Sequence, residues 1–284
     1  MPSIAHDYVI CRVLNTSRAI HCDIIILLMK KKKLIIGNWK MNPDSKSEAV
    51  REFKKIKTAA GKMQNVQTVI AAPFVYLGLL SKNVSGHRCV LGAQDMFYEE
   101  SGSYTGEVSA SQLKSLGVNY VLLGHSERRA LGETDKEVSQ KLRVAIKHAM
   151  NPVLCIGELV RDRKGGHYKY VRDQVVGSLE GIPASALPRI VIAYEPVWAI
   201  SSSKNAQVAT PEDAEEMIIF IQKVLSEHYK LKRTPKMTFV YGGSSNSTNA
   251  EALLSKSVIG GLLPGRASLD SIEFIKMLKI ANNI

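Results

Sequence analysis

Three side chains of this 284-residue chain have the chemistry to move a proton or to hold the charge that follows it. They are Lys40 in Gly37-Asn38-Trp39-Lys40-Met41-Asn42, His125 in Gly124-His125-Ser126-Glu127-Arg128-Arg129, and Glu195 in Tyr194-Glu195-Pro196-Val197-Trp198. Each stands where a short apolar run gives way to polar residues. A carboxylate at such a point is a candidate base. A histidine just before a helix start sits in a positive local field, which disfavours imidazolium and suits a neutral ring that donates a hydrogen bond. A lysine adds fixed positive charge. Two glycine-containing turns, Tyr241-Gly242-Gly243-Ser244 and Pro264-Gly265-Arg266-Ala267-Ser268, lead into helices and expose backbone N–H groups suited to phosphate. Together these parts suit proton abstraction beside a carbonyl in a small phosphorylated molecule. Singly, each has an ordinary reading: a solvated lysine, a structural histidine, an ion-paired glutamate, turn-forming glycines. Only a fold that gathers them at one mouth makes them a site.

The elements that would do so are readable. Eight apolar runs punctuate the chain: Leu34-Ile35-Ile36, Val66–Ala72, Cys89-Val90-Leu91, Tyr120–Leu123, Val153–Ile156, Ile190–Ala193, Met237–Val240 and Val258–Leu263. Nearly continuous apolar character suits strands buried on both faces of a parallel sheet. Helix signals lie between them. Ser45-Lys46-Ser47-Glu48 and Thr134-Asp135-Lys136-Glu137 have the capping-box pattern. Thr210-Pro211 supplies an N-cap followed by proline at the first helical position. Val50, Phe53, Ile56 and Ala60 share one helical face. So do Ala214, Met217, Ile218, Ile221, Val224 and Leu225 on another helix. Leu269, Ile272, Ile275 and Leu278 are the expected buried face of the last helix. Eight strand–helix units in residues 29–284, with no low-complexity break, predict a single (β/α)8 barrel with a closed parallel eight-stranded sheet. A doubly wound open sheet is the second reading.

Composition narrows the classes. The excess of 38 Lys+Arg over 26 Asp+Glu attracts anions but names none. Only 6% of residues are aromatic and none interleave with basic runs, which argues against a dedicated nucleic-acid module. Cys11, Cys22, Cys89 and Cys155 form neither a CxxC pair nor a metal-ligand spacing, so no metal site is expected and a reducing compartment is. No GxGxxG, P-loop or nucleophile elbow competes with the reading above. Residues 1–28 stand apart. Their charges cancel, and the apolar run from Ile24 to Met29 is too short to span a bilayer. Lysines follow that run instead of preceding it, unlike a secretory signal. We read 1–28 as an extension outside the fold and 29–284 as the catalytic domain.

The motifs around Lys40, His125, Glu195 and Gly242 resemble those of the triosephosphate isomerase family. Gly92-Ala93-Gln94-Asp95, Tyr104-Thr105-Gly106-Glu107 and Pro152-Val153-Leu154-Cys155-Ile156-Gly157-Glu158 are similar to family segments too, in order, from about Lys33 to the C-terminus. The resemblance implies interconversion of dihydroxyacetone phosphate and glyceraldehyde 3-phosphate through an enediolate, in the cytoplasm and without a cofactor. It implies that Glu195 is the base, that His125 polarises the carbonyl, and that Lys40 and Asn38 hold the substrate. Glu127 and Ser126 would support them. Ser201, Ser244, Gly265 and Arg266 would contact the phosphate. It also implies a homodimer in which the loop from Gln94 to Glu107 brings Thr105 close to the partner's site, with no nucleic-acid or membrane partner.

Two departures bear on this. Where the family lid carries Gly-Thr-Gly, this chain has Ser201-Ser202-Ser203-Lys204, with Asn205-Ala206-Gln207 as an insertion; serine lacks glycine's freedom at positive φ. At the last strand Pro264-Gly265-Arg266 replaces Val-Gly-Gly, and Pro264 has no N–H to offer. The alternatives are therefore a phosphate-binding barrel whose altered lid impairs turnover, and a basic nucleic-acid-associated protein, against which the even spread of lysines speaks.

Overall fold

A computed structural model describes residues 32–162, 164–199, 209–233 and 236–284. The extension, Ser201 and the rest of the altered lid run therefore lie outside the described residues. Eight parallel strands close on themselves in chain order: β1 Lys33–Asn38, β2 Val66–Ala72, β3 Cys89–Ala93, β4 Tyr120–Leu123, β5 Asn151–Ile156, β6 Val191–Tyr194, β7 Thr238–Tyr241 and β8 Gly261–Leu262. β1 pairs with both β2 and β8, which completes the closure. The single barrel, not the open sheet, is the fold.

Alternation along the strands divides the apolar side chains into two layers. Leu34 and Ile36 of β1, Val153 and Cys155 of β5, and Val191 and Ala193 of β6 fill the barrel interior. Ile35, Leu154 and Ile192 point outward to the helices. The same alternation turns the next residue of β1, Asn38, and the residue after β6, Glu195, inward at the strands' C-terminal ends. Both are buried there, at 4% and 1% exposure.

The helices are α1 Lys46–Ala60, α2 Phe74–Ser81, α3 Ala110–Ser115, α4 Ser126–Ala130, α5 Asp135–Lys147, α6 Gly166–Ser178, α7 Pro211–His228, α8 Ala250–Ser255 and α9 Ser271–Asn283. Thr134 and Thr210 make full capping boxes with Glu137 and Asp213. Ser45 accepts from the Glu48 N–H. All six expected apolar positions of α7 are buried. On α9 the expected face is corrected: Phe274, Met277, Leu278 and Ala281 are buried, while Ile272 is 65% exposed. β8 is also shorter than the apolar run Val258–Leu263. Ile259 still belongs to a turn, donating to the Lys256 carbonyl, and Pro264 ends the ladder beyond Leu263.

Candidate active site

At the C-terminal mouth of the barrel, a cavity of about 350 Å³ is lined by Asn38, Lys40, His125, Ser244, Gly265 and Arg266 among others. Six of the expected site residues thus share one wall. Glu195 lines an adjoining, more apolar cavity of about 230 Å³ together with Ser126 and Cys155. Its Oε1 stands 3.6 Å from His125 Nε2, at the boundary between the two.

The turn that carries His125 is held on both sides. Gly124 has φ 71, a conformation that suits glycine. Its N–H donates to Glu133 at 3.1 Å, and its carbonyl accepts from Arg129 Nε at 2.7 Å. Lys141, itself buried, pairs with Glu133 and, at 2.7 Å, with Asp95 after β3. The imidazole Nδ1 accepts the Glu127 N–H at the start of α4, at 3.2 Å. A nitrogen that accepts cannot carry a proton, so the ring proton belongs on Nε2, facing the cavity. Asn38 Nδ2 lies 3.3 Å from that nitrogen, and Asn38 Oδ1 is occupied by the Lys40 N–H at 3.0 Å. Two donors therefore converge on one point with no acceptor of the protein between them.

Lys40 occupies a left-handed backbone conformation, φ 51, which costs energy at a non-glycine residue and persists only when the surroundings impose it. They do. Its N–H is bound by Asn38, and its carbonyl accepts from Gln94 Nε2 at 2.8 Å, the same nitrogen that donates to the Ala71 carbonyl at 2.9 Å. The ammonium meets Glu127 Oε1 at 2.5 Å. Trp39 Nε1 and the Ser268 hydroxyl tie this segment to the loop after β8: Trp39 donates to the Ser268 carbonyl at 3.1 Å and Ser268 to the Asn38 carbonyl at 3.2 Å.

Glu195 Oε2 accepts from the Ser126 N–H at 3.4 Å, while Oε1 is buried without a hydrogen-bond partner. Cys155, one interior layer below, has its thiol pushed well up, first by burial and then by the Glu195 charge, so it stays protonated beside the carboxylate. Gly242 permits this placement, because a Cβ there would lie 2.6 Å from Glu195 Cγ. Past Glu195, Glu158 Oε1 receives Tyr194 OH at 2.9 Å and Trp198 Nε1 at 2.7 Å. The Arg161 guanidinium lies 6.0 Å from the Trp198 ring centroid and pairs with Asp213 and Glu216.

Ser244 is exposed, and its carbonyl accepts from Asn249 Nδ2 at 3.1 Å. Thr105 is exposed within the loop after β3, away from this cavity. Sequence reasoning did not single out Gln94, Glu158 and Ser268 as site residues. Gln94 and Glu158 follow the ends of β3 and β5 closely, the position that marked the others, but neither stands in a run that suggests proton chemistry.

A closed parallel barrel with a carboxylate, a neutral imidazole and a lysine meeting at its strand C-termini defines a (β/α)8-barrel enzyme. The family model described as triosephosphate isomerase matches residues 33–281. A triosephosphate isomerase of Alkaliphilus oremlandii is 40% identical over 250 residues, covering 87% of this chain and 99% of the relative. One of Rhodopirellula baltica is 41% identical over 255 residues, covering 89% and 99%. The crystal structure of triosephosphate isomerase from Bartonella henselae superposes with a TM-score of 0.75 at 32% identity, over 88% of this chain and 98% of that one. The chain belongs to the triosephosphate isomerase family and is an isomerase. Neither alternative, a barrel without turnover or a nucleic-acid-associated protein, gains support from these relatives.

Proposed function

We propose that the chain interconverts dihydroxyacetone phosphate and glyceraldehyde 3-phosphate by moving one proton between neighbouring carbons. The observation that carries this reading is the meeting of three groups: an unpartnered buried Glu195 Oε1, His125 Nε2 at 3.6 Å from it, and Asn38 Nδ2 at 3.3 Å from that nitrogen. A substrate carbonyl oxygen seated between the two donors accepts from both, and the charge that develops there is stabilised by dipoles already in place. Lys40 adds positive charge on the same side. Glu195 takes the carbon-bound proton, then returns it to the adjacent carbon, while His125 passes protons between the two oxygens. Before that step the carboxylate leaves the Ser126 N–H and turns into the main cavity. Ser126 is thus its resting partner, and Glu127 holds Lys40 and, through its N–H, the His125 tautomer.

The phosphate is assigned to Ser244 and to the N–H groups of Gly265 and Arg266, with Ser201 closing over it from the lid. The protein works as a homodimer in the cytoplasm. The loop around Thr105 enters the partner, and Met41, in the loop after β1, and Val75, in the first turn of α2, 91% and 78% exposed, become covered. Residues 29–284 suffice for this activity. Isomerisation run in D2O tests the reading. Triose phosphates should interconvert in a coupled assay and acquire deuterium at carbon from solvent. An active-site titre without turnover would remove the assignment.

A further inference from the structure

The two ends of the barrel differ in how their cations are answered. Around the mouth, Lys40, Arg128, Arg129 and Arg161 each face a carboxylate. At the strand N-terminal end, the loop from α7 to β7 carries Lys230, Lys232, Arg233 and Lys236, all exposed. Lys32 precedes β1, Lys62 precedes β2 and Lys82 precedes β3, and they are exposed too. None of these seven takes part in an ion pair among the described residues. β7, β8, β1, β2 and β3 are consecutive around the barrel, so their leading loops form one continuous arc. Among the described residues those loops hold no Asp or Glu, and of their cations Lys256, before β8, is answered by Glu212 and Glu215 of α7. Glu180 lies in the loop before β6 on the opposite half of the rim, and Glu227, in the last turn of α7, borders the arc but is taken up by Arg172 and Lys223. Helix C-termini also point this way, and a cation in a last turn answers their dipole. Lys232, Arg233 and Lys236 lie beyond the last turn of α7, where that effect has decayed.

We propose that this arc docks the protein on an anionic lipid surface, with the catalytic mouth facing away from the membrane. An arc with seven exposed cations outside any ion pair, at the flat end of a barrel, matches a planar field of negative headgroups, each cation adding a modest, salt-sensitive attraction. The described residues of the arc's leading loops hold no exposed Phe, Tyr or Trp and a single exposed imidazole, His87, in place of the row of aromatic platforms that single strands use, which sets nucleic acid behind lipid as the partner. Among the described residues no helix is long and apolar enough to cross a membrane, and surface docking requires none.

The test is co-sedimentation of the full chain with phosphatidylcholine vesicles, with and without about one-third phosphatidylserine, at about 0.05 and 0.3 M salt. Binding should need phosphatidylserine and disappear at the higher salt. The triple variant Lys232→Ser, Arg233→Ser, Lys236→Ser should lose partitioning by roughly fivefold per cation removed, about a hundredfold in all. Its isomerase activity and melting temperature should match the parent, which shows that it is folded. A charge-matched variant, Lys46→Ser, Lys164→Ser, Lys169→Ser, removes cations outside the arc and should bind like the parent. Equal losses in both triples would reduce the effect to net charge and overturn the proposal. So would binding to phosphatidylcholine alone, no binding at low salt, or displacement from vesicles by a stoichiometric single-stranded RNA.

Discussion

The two ends of this barrel spend their polar groups differently. At the mouth they are internal and directional: Gly124 is gripped by Glu133 and Arg129, Lys40 by Asn38, Gln94 and Glu127. At the other end, polar groups either stitch loops to carbonyls, as Arg189 does to Ile146 and Met150, or stand in solvent as unanswered cations. The difference teaches where precision is needed. Chemistry demands atoms held to within a fraction of an ångström, whereas stability and surface attraction tolerate loose placement.

Substitutions at the two ends should therefore move different observables. The largest effect belongs to Glu195→Gln, which keeps the shape and removes the proton acceptor. Turnover should fall by about 10²–10⁴-fold with the melting temperature nearly unchanged. A variant within a few-fold of the parent would assign the base elsewhere. Gly242→Ala comes next. The added Cβ, 2.6 Å from Glu195 Cγ, must displace the carboxylate, and a misplacement near 1 Å costs about 10²-fold in kcat. Ser244→Ala should reduce turnover several-fold more than it reduces stability and should raise methylglyoxal, the product released when water reaches the enediolate. Unchanged turnover and by-product would mean that the lid closes by another latch. At the far end, Arg189→Ala removes two bonds to backbone carbonyls, at 3.2 Å each, and should cost about 1–2 kcal/mol of stability by denaturant titration while leaving kcat alone. Smallest of all, a chain begun at Met29 should turn over and melt as the full chain does. A large loss would show that the extension packs on the barrel.

How much of this was legible depends on what each residue's signal competes with. Glu195 was readable because it is the polar residue that ends an apolar run, and Asn38 through the family resemblance of its motif; the alternation from Leu34 and Val191 that turns both inward is a property of the folded strands. The face of α9 was misread for a physical reason: Leu269, Ile272, Ile275 and Leu278 recur every three residues, so at 3.6 residues per turn the series winds around the helix instead of staying on one side. Phe274, Met277, Leu278 and Ala281 keep the 3–4–7 spacing and are the buried set. The even spread of lysines along the chain hid the arc, since pairing is a property of space. Gln94 gave no warning because its task, bracing a backbone, leaves no periodicity or charge.

That glutamine has a kinetic meaning. Gln94 opens the loop assigned to the subunit interface, and its carboxamide props up the strained backbone of Lys40. Under the proposed assembly, association and catalysis share one side chain, so the rate per subunit is a function of enzyme concentration. Dilution alone then acts as an inhibitor, and a Hill-type rise of specific activity with protein concentration becomes a fingerprint of one hydrogen bond.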